Sequence, residues 1–171
     1  MFPHRHVVDD KSSTPLIMKN TNEKSIHILN DLIEVCRDGQ KGFKSAADDA
    51  KDADLKRQLS NFSDQRTKFI GELQQQVRLL GGDPEKSGSA LGVIHRGWID
   101  LKSAISSNEP HAVLAECERG EDSAVKNYRE AIAKTELEPG SRPLVERQFT
   151  EIQQAHNRVK ALRDSPVYAH S

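Results

Sequence analysis

The sequence predicts an all-α protein: a four-helix bundle whose second and third long helices are joined by a long crossover carrying an additional shorter helix. Three observations lead there. Apolar residues recur at steps of three and four along four long segments, the period of an amphipathic helix. No segment alternates with the two-residue period of a strand. Charged residues make up 30% of the chain and aromatics 5%, while most Gly and Pro fall between the periodic segments rather than within them. At 171 residues the chain is long enough for one domain with a real core.

Residues 1–20 have no sustained period and contain Pro3, Pro15 and a Ser-Ser-Thr run, so they read as a disordered tail, with Met18 an alternative start. The bundle is expected over 21–164, followed by a C-terminal tail, 165–171. The first helix, 21–50, opens on Asn20 and Glu23 at capping-box spacing. Its stripe is Leu29, Ile33, Cys36, Gln40, Phe43, Ala47 and Ala50. Gly39 and Gly42 are unfavourable inside a helix, which predicts close approach of a neighbouring helix near Phe43. Asp52 or Asp54 is placed to cap the second helix, 54–80. That helix carries Leu55, Leu59, Phe62, Arg66, Phe69, Leu73, Val77 and Leu80, and stops at Gly81-Gly82-Asp83-Pro84.

A shorter helix, 89–106, contains HRGWIDLK and presents Leu91, Ile94, Trp98, Leu101 and Ile105. A connection of that length spans roughly 27 Å, enough to carry the chain back along the bundle and let the second and third long helices run parallel. Asn108 and Pro110 open the third long helix, which ends near 134 and carries Leu114, Cys117, Glu121, Ala124, Tyr128 and Ala131. After a turn at Glu138-Pro139-Gly140, the last helix, 142–163, is read with Val145, Phe149, Ile152, His156, Val159 and Leu162 inward.

Several function classes fall away. The net charge is −1 and no basic stripe is visible, so nucleic acid is not the expected partner. No apolar run reaches the roughly 20 residues needed to span a bilayer, so no membrane is expected. The opening MFPHRHVVDDKSSTPL lacks the apolar stretch of a signal peptide. Cys36 and Cys117 lie on apolar faces and read as free, buried thiols in a reducing cytoplasm. His4 and His6 read as solvated tail residues, and no glycine-rich phosphate loop follows a strand.

Chemistry, if any, lies in the polar residues of the stripes. Arg66, Glu121 and His156 each sit well inside a helix, at depths that predict one shared polar layer in the core. Two readings compete. In a metal reading Glu121 and His156 are ligands, supported by Glu118 and Gln153. Carboxylate-bridged di-iron bundles need a Glu from each of two helices and Glu-x-x-His from the others. In a structural reading Arg66 and Glu121 form a buried charged pair, with His156 hydrogen-bonded nearby. The last helix offers Gln153-x-x-His156 rather than Glu-x-x-His, the first offers Cys36, and Arg66 would repel iron. These features favour the structural reading.

The segments LNDLIEVCRDGQKGF, GSALGVIHRGWIDLK and GEDSAVKNYREA resemble the bacterial ferritin-like four-helix-bundle proteins of unknown function. The resemblance covers about 23–164. It implies a ferritin-like fold without an established activity, in a superfamily whose rubrerythrins bind two irons; from those relatives Glu121 and His156 transfer. The expectation is a non-enzymatic, cytoplasmic bundle protein with a stress-related role by analogy, open to homo-oligomer formation, and with no cofactor. One alternative is an iron-binding or redox bundle using Glu121 and His156. Another is an interaction module docking through the 95–102 helix, with His95, Arg96 and Trp98 on its surface; the competing reading is that these residues cover the bundle end.

Overall fold

The computed structural model describes residues 13–84 and 95–169. Within them lie five α-helices and one 3-10 turn: α1 (Ser13–Asp49), α2 (Ala53–Leu79), the turn His95–Trp98, α3 (Leu101–Ser106), α4 (Pro110–Ala133) and α5 (Arg142–Asp164). No described residue is in a strand. α1 begins at Ser13, so the helix runs through Asn20 and the expected capping box is not its start. Asp52 is the N-cap of α2, and its Oδ1 accepts from the Asp54 amide at 3.1 Å. Glu109, not the expected Asn108, stands at the N-cap position of α4, without a capping hydrogen bond from its side chain; Asn108 just before it takes φ 62°, a left-handed conformation that asparagine tolerates. The expected 89–106 helix is interrupted in its described part, a 3-10 turn and a short α-helix meeting at Ile99–Asp100; its first residues, like 1–12, lie outside the described residues.

Three pairs of contacts fix the direction of α4. At one end Ser25 Oγ donates to the Glu136 carbonyl at 2.8 Å; midway Cys36 meets Tyr128; at the other end Ala46 and Ala50 line one cavity with Pro110 and Val113. α1 and α4 are therefore antiparallel. α2 approaches α4 the other way round. Leu59 shares the cavity with Val113, Arg66 meets Glu121, and Gln76 reaches Ser141 beyond the end of α4. α2 and α4 run parallel, as a long crossover requires. α5 closes the bundle against α4 and meets α2 through long side chains, Arg158 on Gln58 and Arg147 on Glu72.

The inward positions of α5 are Val145, Gln148, Ile152, Ala155, Val159 and Leu162. Steps of three and four again hold, but Gln148 and Ala155 take the places expected for Phe149 and His156. Those two are rotated to the edge of the stripe and are half-buried. On α2, Ser63 is buried and the Phe62 ring meets Phe43 at a tilt of 43°, 5.2 Å between centroids. Beyond α5 the chain turns back: Tyr168 is buried, and its hydroxyl donates to Asp52 Oδ2, so the described part of the C-terminal tail is docked.

Two apolar clusters make up the core. One holds Leu29, Ile33, Leu73, Tyr128 and Ile152; the other holds Phe43, Leu59, Leu114, Cys117 and Val159. Between them lie Gly39, Arg66 and Glu121.

Gly42 and Gly120 are explained by the crossover rather than by direct helix contact. The Trp98 indole lies between α1 and α4 where a Cβ on either glycine would stand. It also meets the Phe43 ring edge-on at 5.1 Å. Alanine normally stabilises a helix relative to glycine. Here Gly42→Ala or Gly120→Ala is expected to destabilise by about 1–3 kcal/mol through overpacking. Each should also red-shift the emission of this single tryptophan. Gly71, on α2 with open space around it, is the control: Gly71→Ala should stabilise by about 0.5–1 kcal/mol. Urea melts followed by fluorescence compare the three.

Candidate functional site

The centre of the bundle holds a buried ion pair. Arg66 Nη2 donates to both oxygens of Glu121, at 2.7 and 2.6 Å, and both side chains are fully buried. The helix periods that put Leu59, Arg66 and Leu73 on one stripe, and Cys117, Glu121 and Tyr128 on another, aim the two groups at each other. The guanidinium lies over the Phe43 ring, 5.7 Å from its centroid. Gly39 leaves it room: a Cβ there would stand 3.3 Å from Nη1. Arg66 Nε donates to Gln65 at 3.3 Å, and Nη1 is buried without a hydrogen-bond partner among the described residues. Burial pushes the Glu121 carboxyl above its ordinary value, and Arg66 opposes that shift. Burial works against the Arg66 charge too, but Glu121 beside it holds the guanidinium above its ordinary value.

One layer away runs a chain of hydrogen-bonded polar groups that ends on the Glu72 carboxylate. Cys36 Sγ and Tyr128 Oη are 3.1 Å apart. Tyr128 donates to Gln148 Oε1 at 2.8 Å, and Gln148 Nε2 donates to the Phe69 carbonyl and to Glu72 Oε1, both at 3.3 Å. Burial pushes the Cys36 thiol up to about 11, raises Cys117 further, and holds the Tyr128 hydroxyl well above its ordinary value. These thiols are protonated at neutral pH and poor nucleophiles.

His156 does not join the core layer. Its Nε2 lies 2.6 Å from Asp122 Oδ1 on the outer face of α4, with the His156 side chain 21% exposed. The physical reason is the rotation of the α5 stripe, which turns Ala155 inward in its place. Of the metal set read from the sequence, Glu118 and His156 come together, joined by Asp122; Glu121 is held by Arg66 instead. Gln153, one turn before His156, is half-buried. Glu118 is buried and pairs with Arg163 Nη1.

The 95–102 segment turns its tryptophan inward. Gly97 packs on the Gly120 backbone and Ser123, where a Cβ would be 3.2 Å from Gly120 Cα. Glu116 Oε1 accepts from the Asp100 amide at 3.2 Å, and Arg119 bridges Asp100 and Glu116 at 2.8 and 3.0 Å. Trp98 is thus tied into the bundle, leaving Ile99 as the exposed apolar residue of the turn. The side chains of His95 and Arg96 lie outside the described residues.

Residues 24–134 match the family described as a domain of unknown function, DUF2383. The chain belongs to this family. The match runs from α1 to the end of α4 and so includes both members of the ion pair, but stops before α5. No curated protein matches the chain.

Within this DUF2383 chain, sequence reasoning finds Arg66 and Glu121 because a charge interrupts an otherwise apolar stripe. It misses Gln148 and Asp122. Gln148 sits three residues after Val145 and four before Ile152, so the heptad spacing was the available signal. Asp122 gives no stripe signal, since it lies on the polar face of α4 and acquires a partner only when α5 packs beside it.

Removing one member of a buried pair leaves the other desolvated and unpaired. Arg66→Ala is expected to cost about 3–5 kcal/mol in a urea melt, and a double Arg66→Met, Glu121→Leu variant should recover much of the loss. A second expectation concerns Cys36. Its folded-state value, about 11, lies above the roughly 8.5 of an unfolded thiol. The native state therefore keeps its proton longer, and this contribution is full below about pH 8.5 and lost as pH rises toward 11. Urea midpoints should fall over that window, with a shallower fall in Cys36→Ala.

Proposed function

We propose that this chain is a non-enzymatic, ferritin-like helical-bundle protein whose central layer is held by an ion pair. The observation that carries the reading is the Arg66–Glu121 contact at the middle of the bundle, fully buried on both sides. Di-iron bundles gather carboxylates and histidines there from four helices. Here the Glu121 carboxylate is already satisfied by a cation, with Cys36 on α1 and the guanidinium filling the interior beside it. A metal ion would have to displace a charge-assisted, two-oxygen contact and then stand beside an uncompensated guanidinium. The parallel course of α2 and α4 around a long crossover supports the ferritin-like reading, since that connectivity is the one such folds use.

An interaction role through the 95–102 segment is the weaker reading, because Trp98, its largest apolar side chain, is spent on packing between α1 and α4.

Aerobic loading with ferrous iron, followed by desalting and elemental analysis, tests the proposal. No iron that depends on Glu121 is the expected result. About two irons per chain, lost in Glu121→Ala but kept in His156→Ala, would replace it with a di-iron reading.

A further inference from the structure

We infer that Glu118, Asp122 and His156 form a site for one divalent transition-metal ion of the zinc type, on the outer face of α4 and α5. One ligand atom from each residue lies within 4.8 Å of the others. Glu118 and Asp122 are four residues apart and share a face of α4. His156 comes from the antiparallel neighbour α5 at the same level, its Nε2 already 2.6 Å from Asp122 Oδ1. A metal ion bound here stands between these two atoms in place of their hydrogen bond.

The histidine is oriented for this role. Its other nitrogen, Nδ1, lies 3.3 Å from Asn157 Oδ1. With Nδ1–H donating there, the Nε2 lone pair points at the two carboxylates, the arrangement in which metal-binding imidazoles are held by an outer partner. The donor set selects the ion. One imidazole nitrogen and two carboxylates suit zinc and its neighbours, whereas calcium takes six to eight oxygens. Two carboxylates neutralise a dication, and water supplies the remaining position through the exposed side of Asp122.

Arg163 is the competing cation. It pairs with Glu118 Oε2, and its Nε also donates to Asp164 at 2.9 Å. It can keep Asp164 while Glu118 offers its second oxygen. The site is separate from the core pair: Glu121 points inward from the same helix and takes no part in it. Nor do the buried, protonated thiols compete for the ion.

The full chain titrated with zinc chloride by calorimetry tests the inference, with cobalt absorption reporting coordination. Expected are one zinc per chain, and affinity weakened about tenfold or more in His156→Gln and in Asp122→Asn, both with wild-type circular dichroism. Zinc should raise the melting temperature of the wild type and leave that of Asp122→Asn nearly unmoved. His4→Ala with His6→Ala should leave binding unchanged. Binding that survives both His156→Gln and Asp122→Asn, or that disappears with His4 and His6, overturns the assignment; so does the absence of saturable binding at about 100 micromolar zinc. One iron per chain that requires His156 but not Glu121 would agree with this site and leave the reading of the core untouched.

Discussion

The structure depends on keeping a guanidinium charged in a place that water does not reach. Arg66 is fully buried, and the cost of removing such an ion from water amounts to several kcal/mol even after relaxation. Four features answer it. Glu121 supplies the opposite charge with both oxygens, Phe43 offers the face of its ring, Gln65 takes Nε, and Gly39 removes the Cβ that would crowd Nη1. Because α2 and α4 are parallel and not adjacent in sequence, this pair also fixes their relative height. A slip of either helix by one residue would leave two charges buried and unpaired. The apolar clusters above and below can tolerate small adjustments of packing; the layer between them cannot.

A parallel pair of helices needs a chain that travels the length of the bundle, and the described end of that chain is anchored by one side chain. Trp98 sits against two glycines, Gly42 on α1 and Gly120 on α4, and against the edge of Phe43. Phe43 in turn faces Arg66. The crossover, the aromatic pair and the ion pair are therefore one continuous contact, which links the return of the chain to the electrostatics of the core. Polar contacts on the outside, Arg119 with Asp100 and Glu116, hold the same turn from the solvent side.

The helices separate two kinds of chemistry. Along α4, Cys117, Glu121 and Tyr128 face the interior, where burial keeps thiols and the phenol protonated and a carboxylate is matched to a cation. Glu118 and Asp122 belong to another face of the same helix and meet His156 and Arg163 of α5 near solvent. Glu118 and Glu121 are three positions apart, yet one is engaged at the α4–α5 edge and the other at the centre. Solvent reaches the outer group through the exposed Asp122 side chain and does not reach the inner pair.

The sequence by itself determined the four long helices and the charged interruption of the core, because a period near 3.6 residues and the dislike of charge for an apolar stripe are local properties; the start of α1 at Ser13 and the break in the crossover helix were not legible in it. It also marked Gly39 and Gly42 as places of close approach, without showing what approaches. The stripe of α5 was legible to within one residue, and that one residue mattered: Gln148 and Ala155 face inward, so His156 leaves the core and meets Asp122. Rotation by one position is decided by which face of α5 best fits α4 and α2, and no single helix contains that information. The same holds for Trp98, whose inward turn depends on two glycines on different helices, and for the gathering of Glu118, Asp122 and His156. Residues far apart in the chain meet through packing, and packing is a property of the assembled bundle rather than of any segment.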